Sequence, residues 1–228
     1  MKNNIPQFIK QRLLALDNKE NAQAMAAYMK TSMPFYGVKA PDRRPLAKEA
    51  IKAYPIQNQN EFLQVVEELW NQSHREEKYI AIDIARSHPQ YVNPAAFSLF
   101  EKMIRDGAWW DFVDDIAIHL IGTILMKYPS AIWPILEKWS NDSNLWIRRT
   151  VIICQNKFKK KTDQKRLLFF CLQRSHEKEF FIKKAIGWAL REYARTEPQM
   201  IYEFIEKNKE HLSRLSYKEA VKNRAIKF

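Results

Sequence analysis

Trp109, Trp110, Asp111, Phe112, Val113, Asp114 and Asp115 are consecutive, and Trp110 and Asp114 are four residues apart, which on a helix places an indole and a carboxylate on one face. Such a carboxylate can stabilise a cation developing on a substrate and can position or deprotonate a water molecule. A structural role stands beside the catalytic one, because acids in a first helical turn offset the macrodipole and paired tryptophans often fill cores. The stretch from Phe180 to Tyr193 reads as an amphipathic helix on which Trp188 and Arg191 share a face. Within it Gly187 costs about 1 kcal/mol relative to alanine, which points to close approach by another backbone or a ligand.

Other chemistries lack their residues. There is no Gly-rich phosphate loop, His-x-x-x-His metal pair, serine nucleophile elbow or Cys-His signature, so nicotinamide, ATP-dependent and zinc-dependent reactions have no support. The five histidines are scattered. His119 lies within an apolar run and reads as a hydrogen-bonded core residue. Cys154 and Cys171 are too few for a disulfide framework and suit a reducing compartment. Lys183 and Lys184 read as phosphate contacts, since nothing in the sequence identifies an environment that would activate an amine. Neither cofactor nor metal is expected. With 46% hydrophobic and 13% aromatic residues the chain can bury a sizeable core, which excludes a disordered class. The N-terminal residues lack the apolar stretch of a leader. Ile116–Met126, the most apolar run, is about half the roughly 20 residues of a membrane span. A cytoplasmic, bacterial-type intracellular monomer that does not enter membranes is expected.

The charge is concentrated. Lys plus Arg number 38 and Asp plus Glu 26, a net of 38 − 26 = +12. Residues 1–145 carry 17 of each sign, residues 146–195 carry 14 basic against 4 acidic, and residues 196–228 carry 7 against 5. The middle segment therefore holds ten of the twelve excess charges, including Arg148, Arg149, Lys157, Lys183 and Arg191, interleaved with aromatics such as Trp146, Phe180 and Phe181. A local excess of this kind fits phosphate contacts over an apolar core, and so a nucleic-acid partner.

The elements that must position these residues are helices. Gly is scarce and apolar residues recur at spacings of three and four. Pro41-Asp42, Ser73, Asn93-Pro94, Asp111, Ser143 and Thr162 each precede a periodic run, and the longest runs are 73–87, 109–127, 143–158 and 177–195. Ile82, Ile118, Ile152 and Ile186 are separated by 36, 34 and 34 residues, and Phe112, Trp146 and Phe180 follow the same 34-residue step. That period marks stacked helical hairpins. It predicts an all-α chain, one domain over residues 1–228, built as a HEAT-like solenoid with a concave face. On this register Asp115, Arg149 and Lys183 are equivalent, as are Asp114, Arg148 and Ile182.

Trp-Trp-Asp-x-Val-Asp at 109–114, together with Lys-Ala-Ile-Gly-Trp-x-Leu-Arg-Glu-Tyr-Ala at 184–194, resembles the AlkD-type DNA alkylation repair glycosylases. Met25–Lys30, Pro41–Arg44, Glu68–Trp70 and Trp146–Arg149 extend the resemblance over most of the chain, in the family's order. It implies a right-handed solenoid of HEAT-like repeats that holds duplex DNA and excises N7- and N3-alkylated purines. It further implies that Asp114 is the catalytic carboxylate and that Trp110 and Trp188 are the catalytic aromatics. Arg149 and Arg191 match positions that bind the phosphate backbone, Tyr28 an aromatic near the damaged strand, and Arg44 a basic residue facing the other strand. The family does not require the lesion to enter a base pocket, in contrast to flipping glycosylases. Ala40 stands where close relatives can carry a hydroxyl, a departure that touches contacts to the undamaged strand.

Overall fold

Several helices begin where a side-chain oxygen accepts from the free N–H groups of the first turn. In the computed structural model, which describes residues 4–222, Asn18, Asn58, Asn144, Asp163 and Ser213 cap helices in this way. The start signals expected at Ser143 and Thr162 thus lie one residue early, because Asn144 and Asp163 are the residues whose side chains reach those N–H groups. Other helices, such as those starting at Ile5, Pro129 and Pro198, begin with proline in the first turn instead. The described residues are helical, with no strand among them. None of their helices is long and apolar enough to cross a membrane.

Contacts divide the chain into two compact units, one ending at Leu99 and the other beginning at Phe100. The first contains α1 (Ile5–Ala15), α2 (Lys19–Met29), α3 (Ala40–Ala53), α4 (Gln59–Trp70) and α5 (Arg75–Ser87). Ile9, Leu13, Phe62, Leu69, Ile80 and Ile84 form its dry centre, with α5 packed against α3 and α4. A buried carboxylate organises the chain between α2 and α3. Glu76, wholly buried, accepts hydrogen bonds from the backbone N–H groups of Tyr36, Gly37 and Val38 at 3.1, 2.9 and 3.1 Å. The Tyr36 hydroxyl donates to Glu77 at 3.1 Å, and its ring stacks on His74 with centroids 3.8 Å apart. Burial, and then the Glu77 charge, push the Tyr36 phenol well above its ordinary pKa.

α6 (Phe97–Gly107) runs across the boundary. The second unit continues with α7 (Trp110–Ile116), a π-turn (Ala117–Ile121), α8 (Gly122–Lys127), α9 (Pro129–Trp139), α10 (Leu145–Ile153), α11 (Gln164–Gln173), α12 (Phe180–Ala194), α13 (Pro198–Lys207) and α14 (Arg214–Ala220). α10 packs against α7, the π-turn and α12, and α12 packs in turn against α13 and α14. Three of the four repeat-spaced isoleucines, Ile82, Ile152 and Ile186, are buried, whereas Ile118 is only partly buried against the core. It falls in the π-turn, where one surplus residue rotates the side chains off the α-helical pattern. The run expected as one helix over 109–127 is helical without a break from Trp110 to Lys127, with the π-turn set between two α-helical stretches.

Two glycines mark where helices touch. A Cβ on Gly122 would lie 2.4 Å from the Cys154 carbonyl oxygen, and one on Gly187 would lie 2.6 Å from the Ser216 carbonyl oxygen and 2.5 Å from the Glu219 Cβ. The close approach inferred at Gly187 is therefore that of α14. Cys154 and Cys171 are buried, unbridged thiols, and burial pushes both up to about 12.

Gly187→Ala is expected to destabilise the fold by about 1–3 kcal/mol despite the better helix propensity of alanine, because the obstacles are the Ser216 backbone oxygen and the Glu219 Cβ, neither of which can turn away without moving α14. A urea transition that is unchanged or shifted upward would contradict this packing. Glu76→Gln leaves three N–H donors facing a weaker acceptor and an amide that brings its own protons. A loss of about 2 kcal/mol is expected, from the usual worth of hydrogen bonds to a charged group, again read from the urea midpoint.

Candidate active site

Trp109 is extended (φ −149°, ψ 147°) and occupies the position just before α7. Asp114 follows one helical turn after Trp110, as the i, i+4 spacing predicts. Trp110 is exposed at 37%, while the Asp114 side chain retains only 17% of its surface. An accessible indole and a largely desolvated carboxylate thus occupy the same short helix.

Arg149, reaching from α10, holds the carboxylate. Its Nε donates to Asp114 Oδ1 and its Nη2 to Oδ2, both at 2.7 Å, the two-pronged arrangement suited to a planar guanidinium. Its Nη1 donates to the Phe181 carbonyl of α12 at 2.5 Å. Arg149 therefore links α7, which carries Trp110, to α12, which carries Trp188. Opposing effects act on Asp114. Burial, the larger, raises its pKa above the ordinary carboxylate value, and the Arg149 hydrogen bonds and charge pull it back.

Aromatic rings support this pair. Trp146 lies 4.8 Å from Phe181, and Trp109 lies 5.4 Å from Phe181 and 6.0 Å from Trp146, between ring centroids. The Arg149 guanidinium carbon is 6.0 Å from the Phe181 centroid. The sequence anticipates an aromatic at this step of the repeat but assigns it to Phe180. That ring is 58% exposed, and Phe181 is the one turned onto Trp146. A one-residue offset likewise places Asp114, rather than Asp115, against Arg149. Asp115 instead faces His119 within its own helix at 3.4 Å.

Trp188 is half-buried and packs against the apolar core of the second unit. Arg191, one turn further along α12, is ion-paired with Glu219 of α14 and also donates to the Glu219 carbonyl at 3.1 Å. Lys184 reaches the same carboxylate at 2.5 Å. Arg148 donates to both Glu177 carboxylate oxygens at 2.9 and 2.7 Å and to the carbonyls of Asp142 and Ser143. Arg148, Arg149 and Arg191, expected at phosphates, are thus committed to partners within the protein.

A division by residue type runs through the basic segment, with Lys184 and its Glu219 partner as the exception. Each of its arginines has a carboxylate within ion-pair distance: Arg166 and Arg174 join the three above, and Arg195 pairs with Glu192. Its exposed lysines, Lys157, Lys159, Lys160, Lys161, Lys165 and Lys178, have none among the described residues, and neither has half-buried Lys183. In the first unit, Tyr28 on α2 is 77% exposed and Arg44 on α3 is exposed. Among the described residues no three His, Cys, Asp or Glu side chains gather as a metal-ion site. The sequence misses Trp109, Trp146 and Phe181 as supports of the carboxylate. The signal for Trp146 and Phe181 is the aromatic interleaving of the charged segment, and that for Trp109 its place beside Trp110 at the start of the acidic run.

A family model described as "DNA alkylation repair enzyme" matches residues 9–223. A solved structure described as a predicted DNA alkylation repair enzyme from Enterococcus faecalis is 32% identical, covers 92% of this chain and 97% of its own, and superposes with a TM-score of 0.84. AlkD2 from Streptococcus mutans, 15% identical, with 89% of this chain and 98% of that one covered, has a TM-score of 0.60. The structure of smu.31 from Streptococcus mutans UA159, also 15% identical, covers 96% of this chain and 98% of its own at 0.55. These last two are similar in fold. No curated protein matches. With the helical repeats in place, the carboxylate held between α7 and α10, and the family pattern spanning nearly every residue from α1 to α14, the chain belongs to the DNA alkylation repair enzyme family.

Proposed function

We propose that the protein is a monofunctional DNA glycosylase that hydrolyses the N-glycosidic bond of cationic N7- and N3-alkylated purines, such as 7-methylguanine and 3-methyladenine, in duplex DNA during base excision repair. The observation that carries this reading is the Asp114 carboxylate, partly desolvated, fixed at both oxygens by Arg149 and carried on the helix that exposes Trp110. Family membership supplies the alkylated DNA; the site supplies the chemistry.

An alkylated purine of this kind already carries a positive charge, so it departs as a neutral base and needs little help from a general acid. What remains is a sugar with oxocarbenium character and an attacking water. A carboxylate in a poorly hydrated site stabilises that cation more strongly than one in bulk water and can orient or deprotonate the water. The π faces of Trp110 and Trp188 suit a developing positive charge, and their bulk limits competing water. Lys157 and Lys183, without carboxylate partners, are the cations of the expected set best placed in energy to meet phosphates, and Tyr28 and Arg44 are the proposed contacts of the first unit, each exposed there. No amine nucleophile is invoked, so the product is an abasic site. A non-catalytic nucleic-acid-binding or protein-interaction solenoid is the competing reading. It uses the same cations and leaves Asp114 without a chemical role.

Methylated duplex DNA incubated with the protein should release 7-methylguanine and 3-methyladenine, measured chromatographically. Asp114→Asn keeps one acceptor for Arg149 but loses the charge. It is expected to lower release by about 10²–10³-fold, the scale of losing a preorganised electrostatic contact, with duplex affinity near that of the wild type. Unchanged release removes Asp114 from the mechanism; absent release by the wild type favours the non-catalytic solenoid. The pH profile checks the Arg149 contact. Release requires the carboxylate, so after subtraction of spontaneous depurination it should fall as pH drops through the Asp114 pKa, which burial holds above the ordinary 3.8. Arg149→Gln removes the effect that lowers this pKa and leaves the burial, so the acidic limb should move to higher pH; a limb that stays put or moves down would contradict the pairing.

A further inference from the structure

The turn after α10 gathers charge apart from the Asp114–Arg149 pair, and of its cations only Lys157 also stands among the proposed duplex contacts. Lys157, Lys159 and Arg195 border a recess of about 740 Å³ between the end of α10, the segment leading into α11 and the last turn of α12. That volume lies within the range of small-molecule sites. None of Asp114, Trp110, Arg149 or Trp188 lines it. Along α12 the wall of the recess starts at Ala189, next to Trp188, and ends on Arg195, seven residues or about 10 Å beyond Trp188 at 1.5 Å per residue, so the recess adjoins the Asp114 site but is lined by other side chains.

The chemistry of its wall selects an anion. Glu192 is the one acidic side chain there, and it pairs with Arg195 at 3.2 Å. Three cations less one carboxylate leave the wall at about +2, which matches a phosphomonoester at about −1.5 to −2 better than a singly charged diester. Lys159 and Arg195 also border an adjoining recess with Lys160 and Lys161, so the positive potential extends beyond the mouth. Thr162 and Thr196 supply hydroxyls. Asn156, on the same wall, has a buried side-chain nitrogen with no hydrogen-bond partner. Leu167 and Ala189 add an apolar floor suited to a sugar or base. Finally, Lys159 adopts φ +53°, a left-handed conformation that non-glycine residues rarely hold and that recurs at ligand clamps.

We propose that this recess binds a phosphomonoester: the terminal phosphate of a mononucleotide or of a DNA strand end, held by Lys157, Lys159 and Arg195. The test uses the full-length ¹⁵N-labelled chain titrated with deoxyadenosine monophosphate, with deoxyadenosine, and with two undamaged duplexes that differ only in a 5′-phosphate or a 5′-hydroxyl. The monophosphate should shift amide resonances of residues 155–161 and 189–196 saturably, and the nucleoside should not. The Lys159→Gly, Arg195→Gln double variant removes two charges while glycine accepts the positive φ freely. It should bind the monophosphate about tenfold more weakly or worse, with no loss in melting temperature. Tighter binding of the phosphorylated duplex, lost in the double variant, assigns the strand end; equal binding of the two duplexes alongside a response to the monophosphate assigns the free nucleotide. No saturable shift with the monophosphate, an equal response to the nucleoside, or undiminished binding by the double variant overturns the proposal. Base release does not enter the readout, so the result is independent of the glycosylase reading.

Discussion

A guanidinium that makes two parallel hydrogen bonds to one carboxylate requires that carboxylate in a particular plane at a particular distance. Arg149 imposes this requirement on Asp114 and uses its remaining arm on the Phe181 carbonyl, so α7, α10 and α12 share one fixed point. The pair is nearly dry. Removing one partner from such a pair typically costs about 3–5 kcal/mol, because the other charge remains in a place that cannot hydrate it. The Phe181 ring, itself packed against Trp109 and Trp146, lies beside the guanidinium, and the asparagine cap at Asn144 sets where α10, and hence Arg149, begins. The reactivity assigned to Asp114 and the stacking of the helices thus depend on the same contact.

Much of this was legible in the residues. Helical spacing puts Trp110 and Asp114 on one face, polar starts locate most helices to within one residue although Pro41-Asp42 and Asp111 fall two or three residues inside theirs, and the all-helical repeat class is borne out. Gly187 also announced its packing, since a costly glycine inside a helix implies something close by, and α14 is there. What could not be read was register between helices. Whether Phe180 or Phe181 turns inward, and whether Asp114 or Asp115 meets Arg149, depends on a rotation of about 100° per residue. Local pattern barely distinguishes those alternatives, and only contacts across the repeat decide them. The π-turn was hidden for a related reason, because its sequence, Ala-Ile-His-Leu-Ile, has ordinary helical composition.

The charge excess was visible as a quantity but not as a set of partners. The structure sorts it by hydration. Guanidinium groups, planar and weakly hydrated, are taken into ion pairs that bind α7 to α10 and α12 to α14, while the strongly hydrated ammonium groups of Lys157, Lys159, Lys160 and Lys161 remain at the surface. A count of basic residues therefore overstates the charge free to meet an anion and misplaces its centre. That centre moves toward the turn that follows α10.

The π-turn at Ala117–Ile121 also has a mechanical meaning. A continuous α-helix from Trp110 to Lys127 would lock the orientation of every side chain along it, so that an adjustment of Asp114 toward Arg149 would swing Gly122 away from the Cys154 carbonyl it nearly touches. One surplus residue in the wide turn absorbs such a mismatch. The segment acts as a phase shifter within a single rod: the front half is set by the demands of a carboxylate, the back half by those of a backbone contact, and neither has to compromise for the other.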